Sequence, residues 1–268
     1  MLRPKLSIII TCYNLGHYLE EAIASIKYYS SFEDYEIILV NDGSTDKATL
    51  QILEKIEQKD KSIFVLHQAN IGLAKARNNG IKLAKGKYII PLDADNKLRP
   101  ECIKQTIAVL DSNLGIDVVH GDTQLFGNKN SVWKGKPFDV AEMVLNNYID
   151  ACAGFRKSVW EELRGYDENM PVMGFEDWDL WLRMAVRGCR FQYVETTFFD
   201  YRVRDNSMLA EAWKERPLLL GYIFNKKELR HLFYFRECLI ENKKLKEEPA
   251  LKEILQIIIK KIKRKLHF

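Results

Sequence analysis

The sequence predicts an α/β fold in which helices flank a largely parallel sheet. Two observations support this prediction: short β-branched apolar segments alternate with segments of helical periodicity, and clusters of polar residues follow the predicted strands. Hydrophobic residues make up 47% of the 268 residues, which is enough for a sizeable core. Strands that alternate with helices imply right-handed crossovers, and therefore helices on both faces of the sheet.

The first hundred residues contain four predicted strands and three predicted helices. The strands cover residues 6–11, 36–41, 62–67 and 87–92. Apolar residues at helical spacing predict helices around 19–26 and 50–56, and a third helix over 72–84. A turn and N-cap sequence, Asp42-Gly43-Ser44-Thr45-Asp46, separates the second strand from its helix.

The second half is less regular and predicts a mixed sheet. Helices are predicted at 101–110 and from Gly174 to about Gly188, and strands at 116–120, 151–156, 191–194 and 198–203. From about residue 211 the composition shifts to helix formers and charged residues. We therefore predict a catalytic domain over 1–210 and a C-terminal helical appendage over 211–268.

Composition limits the function classes. The formal charge of +4 comes from 41 basic and 37 acidic residues, a near balance that argues against nucleic acid as a partner. Five scattered cysteines without a CxxC pair argue against a disulfide framework or a zinc cluster and fit a reducing cytoplasm. The sequence shows neither a signal peptide nor a membrane-spanning apolar stretch, so any predicted membrane contact is peripheral.

Three polar clusters follow the predicted parallel strands. They are Thr11-Cys12-Tyr13-Asn14, Asn41-Asp42-Gly43-Ser44 and Asp93-Ala94-Asp95. In open α/β sheets, ligands bind beyond the carboxyl ends of the strands. The sequence therefore predicts a binding site at this rim of the sheet.

The last cluster contains two carboxylates, Asp93 and Asp95, that leave the same face if the strand geometry continues. Mg²⁺ and Mn²⁺ take oxygen ligands and are commonly held by one or two carboxylates together with substrate phosphates. Taken alone, such a pair more often belongs to a solvated loop or a helix N-cap than to a metal site. The polar clusters that follow the other predicted parallel strands favour the metal interpretation.

Three motifs in the chain together carry a family resemblance. They are Ile38-Leu39-Val40-Asn41-Asp42-Gly43-Ser44-Thr45-Asp46, Asn70-Ile71-Gly72-Leu73-Ala74-Lys75-Ala76-Arg77-Asn78, and Asp93-Ala94-Asp95. In order and spacing they resemble the family 2 glycosyltransferases of the GT-A fold over roughly residues 4–205. The resemblance implies an inverting enzyme that takes a sugar from a UDP-sugar and uses Mn²⁺ or Mg²⁺.

The resemblance also implies roles at the donor site. Tyr13 would lie on the uracil ring, Asp42 would hydrogen-bond its edge, and Arg77 would reach the base. Asp95 would be the more direct metal ligand, with Asp93 shared between metal and ribose. Taken singly, each residue also has a structural interpretation, as a rim aromatic, a turn residue or a solvated helix charge. The complete donor-binding set is Thr11, Tyr13, Asp42, Arg77, Asp93 and Ala94.

A second acidic pair, Glu176-Asp177, opens a predicted helix. Acidic residues at a helix N-terminus are also stabilising without any catalytic role. The segment Gly174-Phe175-Glu176-Asp177-Trp178-Asp179-Leu180-Trp181 resembles the acidic motif of the family, whose second acid is the usual base. The resemblance therefore implies that Asp177 is the catalytic base and that Glu176 orients the acceptor.

The acceptor is predicted less directly. Processive synthases carry a Gln-x-x-Arg-Trp motif that this sequence lacks, so we expect transfer of a single sugar to a saccharide or lipid-linked acceptor in bacterial surface polysaccharide synthesis. Trp133 is interpreted as a buried packing residue, with stacking on an acceptor sugar as the alternative. The sequence leaves homo-oligomer formation open.

The C-terminal segment has the pattern of a basic amphipathic helix. Leu251, Leu255, Ile258 and Ile262 fall on one stripe beside lysines and an arginine at 260–265. Two interpretations are equally supported: peripheral contact with the inner face of the cell membrane, or docking on protein.

Two other functions use related chemistry. A nucleotidyltransferase also needs paired aspartates and metal, but the first strand here is not followed by the Gly-rich basic loop that such enzymes use. A non-catalytic nucleotide-sugar or glycan-binding protein would not need Asp95 and Asp177. The sequence lacks a Walker lysine loop and a GxGxxG motif, which argues against phosphotransferases and dinucleotide oxidoreductases.

Overall fold

The computed structural model describes residues 3–27, 34–205 and 207–247, with side chains to residue 244. Within these residues, nine strands form one mixed sheet in the order β3-β2-β1-β4-β8-β6-β9-β5, and β7 pairs with β6. The strands are β1 (Leu6–Cys12), β2 (Tyr35–Asp42), β3 (Ile63–Gln68), β4 (Tyr88–Asp93), β5 (Lys97–Leu98), β6 (Val118–Gly127), β7 (Ser131–Trp133), β8 (Gly154–Arg156) and β9 (Phe191–Val203).

Helices cover both faces of the sheet and form the C-terminal part of the described chain. They are α1 (Gly16–Lys27), α2 (Lys47–Lys59), α3 (Leu73–Leu83), α4 (Pro100–Ser112), α5 (Val140–Met143), α6 (Lys157–Glu162), α7 (Glu176–Val186), α8 (Met208–Lys214), α9 (Arg216–Phe224) and α10 (Arg230–Glu247). The α/β fold with a mixed sheet between helices is confirmed.

The parallel half of the sheet aligns the predicted polar clusters. β1 is buried throughout and pairs in parallel with β2 on one side and β4 on the other. In this register Thr11 lies beside Val40 and Asp93, and Asp42 lies beside Gln68 of β3. The carboxyl ends of these strands therefore meet at one edge, as the sequence predicts.

The prediction of two short strands at 191–194 and 198–203 is wrong. The chain forms one continuous strand, β9, which runs parallel to β6 with register shifts between His120 and Thr123. The polar residues 195–197 resemble a loop in the sequence, but backbone pairing continues across them through this irregularity. Gly121 lies at the shift, where a Cβ atom would come within 2.3 Å of the Phe198 ring.

Two apolar cores lie on opposite faces of the sheet. Alternate β1 residues face them: Ile9 belongs to the core that contains α3 and α7, and Ile8 and Ile10 belong to the core that contains α1, α2 and α4. Ala212 of α8 and Ile223 of α9 lie in the first core, in one cluster with residues of α7. The C-terminal helices therefore pack beside the helix that carries the acidic pair.

Helical structure continues through the C-terminal part of the chain as far as residue 247. The predicted division at residue 210 stays a prediction. The basic amphipathic stripe predicted at 251–265 lies outside the described residues. Over the described ranges, every helix is too short or too polar to cross a membrane.

Candidate active site

A cleft of about 820 Å³ opens at the carboxyl ends of the parallel strands. Its walls come from the loops after β1, β2 and β4, the start of α3, the start of α7, and the segment that follows β9. All nine site residues that the sequence predicts line this one cleft: Thr11, Tyr13, Asp42, Arg77, Asp93, Ala94, Asp95, Glu176 and Asp177.

Asp42 is a buried lining residue of the cleft and orders the turn that leads into α3. Its Oδ1 accepts hydrogen bonds from the Gln68 amide at 2.8 Å and from the Ile71 backbone N–H at 3.0 Å, and its Oδ2 accepts one from Gly72 N–H at 3.0 Å. Gly72 has φ +91°, a left-handed conformation that favours glycine. Both carboxylate oxygens of Asp42 therefore have partners, while Asp42 still lines the cleft.

Tyr13 stands at the rim with 45% of its surface exposed. The next residue, Asn14, has φ +54° and joins two loops: its N–H donates to Ser44 Oγ at 2.9 Å, and its Oδ1 accepts from Thr45 N–H at 2.8 Å. These bonds hold the loop after β1 against the loop after β2. The Tyr13 ring is thus exposed on a fixed backbone, which suits stacking on a planar group.

Arg77 joins the two acidic regions of the cleft. Although only 2% of its surface is exposed, its Nη1 donates to Glu176 Oε1 at 2.6 Å and its Nη2 to Asp93 Oδ1 at 2.7 Å. Burial opposes the charge, yet the Asp93 and Glu176 carboxylates raise the pKa of Arg77 well above its ordinary value. The guanidinium is therefore held between two carboxylates and is not a solvated helix charge.

Asp95 is largely buried, with Oδ2 accepting from Arg204 Nε at 2.7 Å. Burial and the neighbouring Asp93 carboxylate raise the pKa of Asp95, against the lowering effect of Arg204. The Asp93 side chain is about one-third exposed. Over the described ranges, the His, Cys, Asp and Glu side chains do not form a group of three or more that could hold a metal ion.

The acidic pair opens α7 and lines the same cleft. Glu176 Oε2 accepts from Gly174 N–H at 2.6 Å, and Asp177 accepts from Trp178 N–H at 2.7 Å and from the Asn147 amide at 3.0 Å. Burial, together with the Glu176 and Asp150 carboxylates, raises the pKa of Asp177 well above its ordinary value. A carboxylate with a raised pKa is a stronger proton acceptor once it is ionised.

The structure adds three cleft residues that the sequence analysis did not single out: Asn147, Asp150 and Arg204. Burial raises the pKa of Asp150 to about 7, and the Asp93 carboxylate adds to this effect. Its Oδ1 accepts from Cys152 N–H at 2.9 Å. These residues lie in irregular segments without a motif, so nothing in the local sequence connects them with the cleft.

Two tryptophans line the mouth of the cleft, Trp133 of β7 and Trp213 of α8. Trp133 is 41% exposed, so the prediction that it is a buried packing residue is wrong. The reason is that, among the described strands, β7 pairs only with β6, and all three of its residues are exposed. Trp213 meets Phe175, immediately before the acidic pair, edge to face at 5.7 Å.

Comparison with known proteins identifies the family. The model described as "Glycosyl transferase family 2" matches residues 7–164, more than half of the chain. The chain belongs to glycosyl transferase family 2. It is therefore a glycosyltransferase, as the resemblance predicts, and the matched region runs from the second residue of β1 through β4 and the Asp93-Ala94-Asp95 motif.

The chain is also similar to individual relatives and to solved structures. It is 24% identical to the putative teichuronic acid biosynthesis glycosyltransferase TuaG of Bacillus subtilis, over 89% of this chain and 94% of the relative. Among solved structures it resembles S. aureus TarS 1–349 in complex with UDP-GlcNAc, with a TM-score of 0.66 and 20% identity over 88% of this chain and 71% of that one.

A second solved structure has the same fold. It is the mannosyltransferase PcManGT of Pyrobaculum calidifontis in complex with GDP-Man and Mn²⁺, with a TM-score of 0.58 and 14% identity over 95% of this chain and 79% of that one. At these identities the likeness concerns the fold. The chain thus has relatives in bacterial cell-wall polysaccharide synthesis and is similar in fold to solved structures that hold nucleotide sugars.

Proposed function

We propose that this glycosyltransferase inverts the anomeric centre as it moves one sugar from a UDP-sugar to a saccharide or lipid-linked acceptor. The observation that carries the proposal is the Arg77 bridge, which joins Asp93 on the donor side to Glu176 on the acceptor side of one cleft. Inversion needs a donor and a base on opposite sides of the reacting carbon. Asp177, next to Glu176, supplies that base.

The donor nucleotide is assigned to the strand ends. Tyr13 offers an exposed ring to the base, and Asp42, Thr11 and Ala94 lie deeper in the same cleft. An aromatic face beside a carboxylate acceptor suits a nucleobase that is read along its edge. The UDP-GlcNAc complex of TarS supports a uridine donor through the shared fold. Arg77 acts here through Asp93, to which its Nη2 donates.

The donor set suits a divalent cation. Asp93 gives one oxygen to Arg77 and Asp95 gives one to Arg204, so each carboxylate keeps a second oxygen that can act as a ligand. Two carboxylates with a substrate diphosphate form the hard oxygen set that Mg²⁺ and Mn²⁺ prefer. We assign Asp95 and Asp93 as the ligands, and the ion would stabilise charge on the departing diphosphate. The Mn²⁺ complex of PcManGT supports this assignment through its fold.

Asp177 is assigned as the proton acceptor. The acceptor hydroxyl gives its proton to an Asp177 oxygen as its own oxygen attacks the anomeric carbon and the bond to the diphosphate breaks. Asn147 fixes the Asp177 carboxylate at 3.0 Å, and Glu176 is held by Arg77 and Gly174. A positioned base contributes roughly a hundredfold to ten-thousandfold to the rate.

The acceptor is assigned to the wall that carries the two rim tryptophans. Trp133 is exposed at the mouth, and Trp213 contacts Phe175 beside the acidic pair. Tryptophan faces suit the apolar faces of sugar rings. The relationship to TuaG supports a growing cell-envelope polysaccharide as the acceptor class.

A thermal-shift screen tests the donor and the metal together. UDP with Mn²⁺ is expected to raise the unfolding temperature more than UDP alone, because a ligand of the native state stabilises it by mass action. GDP and CDP with Mn²⁺ serve as matched controls. An unfolding temperature that uridine nucleotides with Mn²⁺ leave unchanged would overturn the proposed donor. Retention of the donor's anomeric configuration in the product, read by proton NMR, would overturn inversion.

A further inference from the structure

A second cavity, of about 380 Å³, lies between the loop after α5, the start of α9 and α10. Asn146 lines this cavity, and the next residue, Asn147, lines the active-site cleft. The two cavities are therefore separated by one short loop. Four cations line the second cavity: Arg216, Arg236, Lys243 and Lys244.

The positive charge of this cavity is poorly balanced. Within the described part of the chain, Arg236 pairs with Glu237 at 2.8 Å, and Arg216, Lys243 and Lys244 have no carboxylate within 4.0 Å. Burial and the neighbouring Arg236 charge lower the pKa of Arg216. Arginines that face each other in a cavity repel unless an anion lies between them. The arrangement therefore favours a negatively charged ligand.

The two arginines are held in place, and each keeps an unused donor. Arg216 Nη2 donates to Leu145 O at 2.9 Å, and its guanidinium lies over the Trp213 ring, 5.2 Å from the centroid. The Arg236 guanidinium lies over the Phe224 ring at 5.8 Å. The Nε atoms of both arginines are buried without a hydrogen-bond partner among the described residues. Buried N–H donors without a partner are costly, and a bound anion would satisfy them.

Apart from Asn146, the rest of the lining is apolar: Leu145, and Leu239 and Ile240 of α10. On the same helix, Phe233, Tyr234 and Phe235 are 40%, 64% and 39% exposed. Exposed aromatic residues next to lysine and arginine are typical of helices that lie at a membrane surface. A free phosphate would match the cations but would leave the apolar wall without a partner.

We propose that this second cavity binds the phosphate group of an anionic lipid, with the first carbons of the lipid chain against Leu239 and Ile240. The planar guanidinium fork matches phosphate oxygens, and Lys243 and Lys244 add charge at the opening. The site does not depend on the donor or on Asp177. If the lipid site were disproved, the proposed transfer reaction would still stand. If the transfer reaction were disproved, the lipid site would still stand.

Calorimetric titration of the full chain with dihexanoyl phosphatidic acid tests the site. This soluble lipid carries the phosphate and a short chain without forming vesicles, so the basic segment beyond residue 247 has no membrane to bind. Dihexanoyl phosphatidylcholine and inorganic phosphate are the comparison ligands. Arg236→Gln removes a partly buried cation, and the double variant Lys243→Gln with Lys244→Gln removes two exposed ones whose loss leaves the packing intact. The double variant Lys227→Gln with Arg230→Gln removes two exposed cations outside the cavity.

Both cavity variants are expected to weaken phosphatidic acid binding at least about tenfold, equivalent to about 1.4 kcal/mol, and the control variant is expected to bind like wild type. Equal binding by wild type and both cavity variants would overturn the site. Inorganic phosphate that binds as tightly as phosphatidic acid would overturn the lipid and leave free phosphate as the ligand. Phosphatidylcholine that binds equally would overturn the role of the anion.

Discussion

Arg77 donates to Glu176 at 2.6 Å across 99 residues of sequence, and the same guanidinium donates to Asp93 at 2.7 Å. Arg77 and Glu176 are almost completely buried, and the Asp93 side chain is about one-third exposed. The bridge fixes the start of α7 against the end of β4, so the spacing between the donor side and the base side depends on one side chain. A buried charge pair that loses one member leaves the other uncompensated.

We expect Arg77→Met to reduce both stability and turnover. Removing one partner of a buried ion pair costs about 3–5 kcal/mol, and here two carboxylates lose their partner. The free energy of unfolding, measured by urea denaturation, is expected to fall by that order. Turnover is expected to fall at least about tenfold, because misplaced reacting groups slow a reaction even when each is present.

The exposed Arg187, which pairs with Glu162 at 3.1 Å, provides the control. Arg187→Met removes an exposed ion pair and is expected to change stability by at most about 1 kcal/mol. A double variant, Arg77→Met with Glu176→Gln, is expected to be less destabilised than the sum of the two single changes, because they share one interaction. Additive effects would contradict the bridge.

We expect Asp177→Asn to lower kcat about a hundredfold to ten-thousandfold while leaving donor binding unchanged. The new amide oxygen can still accept from Trp178 N–H, so the start of α7 keeps this contact, while the hydrogen bond from the Asn147 amide is lost. Kinetics with saturating acceptor, together with the donor thermal shift, separate the two effects. Asp139→Asn, an exposed N-cap outside the cleft, is the matched substitution and is expected to leave kcat unchanged. Wild-type turnover in Asp177→Asn would show that another group is the base.

We expect Asp150→Asn to remove a pH dependence of stability. Burial raises the pKa of Asp150 to about 7, so the native state binds a proton more tightly than the unfolded state. The native carboxyl is protonated between about pH 4 and 7 while the unfolded one ionises, so wild-type stability falls as the pH rises through that window. Above it, the ionised carboxylate in the native protein costs stability that an amide does not.

Urea denaturation at pH 4 and pH 8 measures this difference. The variant is expected to match wild type at pH 4 and to exceed it at pH 8 by about 1–3 kcal/mol, since one pKa unit corresponds to about 1.4 kcal/mol. The Asp150 charge also contributes to the raised pKa of Asp177. The acid limb of the kcat/KM profile is therefore expected to move to lower pH in Asp150→Asn. An unchanged limb would show that the two carboxyls do not interact.

The sequence predicts the parallel half of the molecule well, because buried strands and turn residues follow one another locally. The third helix, predicted over 72–84, is observed as α3, and the polar ends of β1, β2 and β4 meet as expected. The second half is harder to predict, because its strands pair with segments that are distant in the sequence. The break predicted between 194 and 198 is absent because β6 supplies partners on the far side of a bulge.

The cleft residues divide in the same way, into those that lie in sequence motifs and those that only tertiary packing brings to the cleft. Asp93, Asp95 and Asp177 stand in motifs, and the sequence can assign them by resemblance. Asn147, Asp150 and Arg204 enter the cleft through tertiary packing. The Arg77 bridge joins residues that are 16 and 99 positions apart, so no local pattern connects its carboxylates.

We expect Asp95→Asn to abolish the contribution of Mn²⁺ to the thermal shift with UDP. Arg204 Nε lies 2.7 Å from Asp95 Oδ2 and partly balances its charge. Arg204→Gln removes this competing cation and is expected to tighten Mn²⁺ binding about two- to fivefold, the worth of a partly exposed ion pair. Titration of each variant with Mn²⁺, followed by electron paramagnetic resonance of the free ion, measures both. Wild-type Mn²⁺ affinity in Asp95→Asn would contradict its assignment as a ligand.

Two tryptophans that line the cleft are expected to respond differently to replacement by alanine. Trp133 is 41% exposed at the cleft mouth, so Trp133→Ala is expected to raise the acceptor KM and to change the free energy of unfolding little. Trp178 is 1% exposed, and its Nε1 donates to Met143 O at 2.7 Å. Trp178→Ala is therefore expected to cost about 3–5 kcal/mol by leaving a cavity in the core. Acceptor kinetics and urea denaturation on both variants separate binding from packing, and an unchanged acceptor KM in Trp133→Ala would remove this residue from the acceptor site.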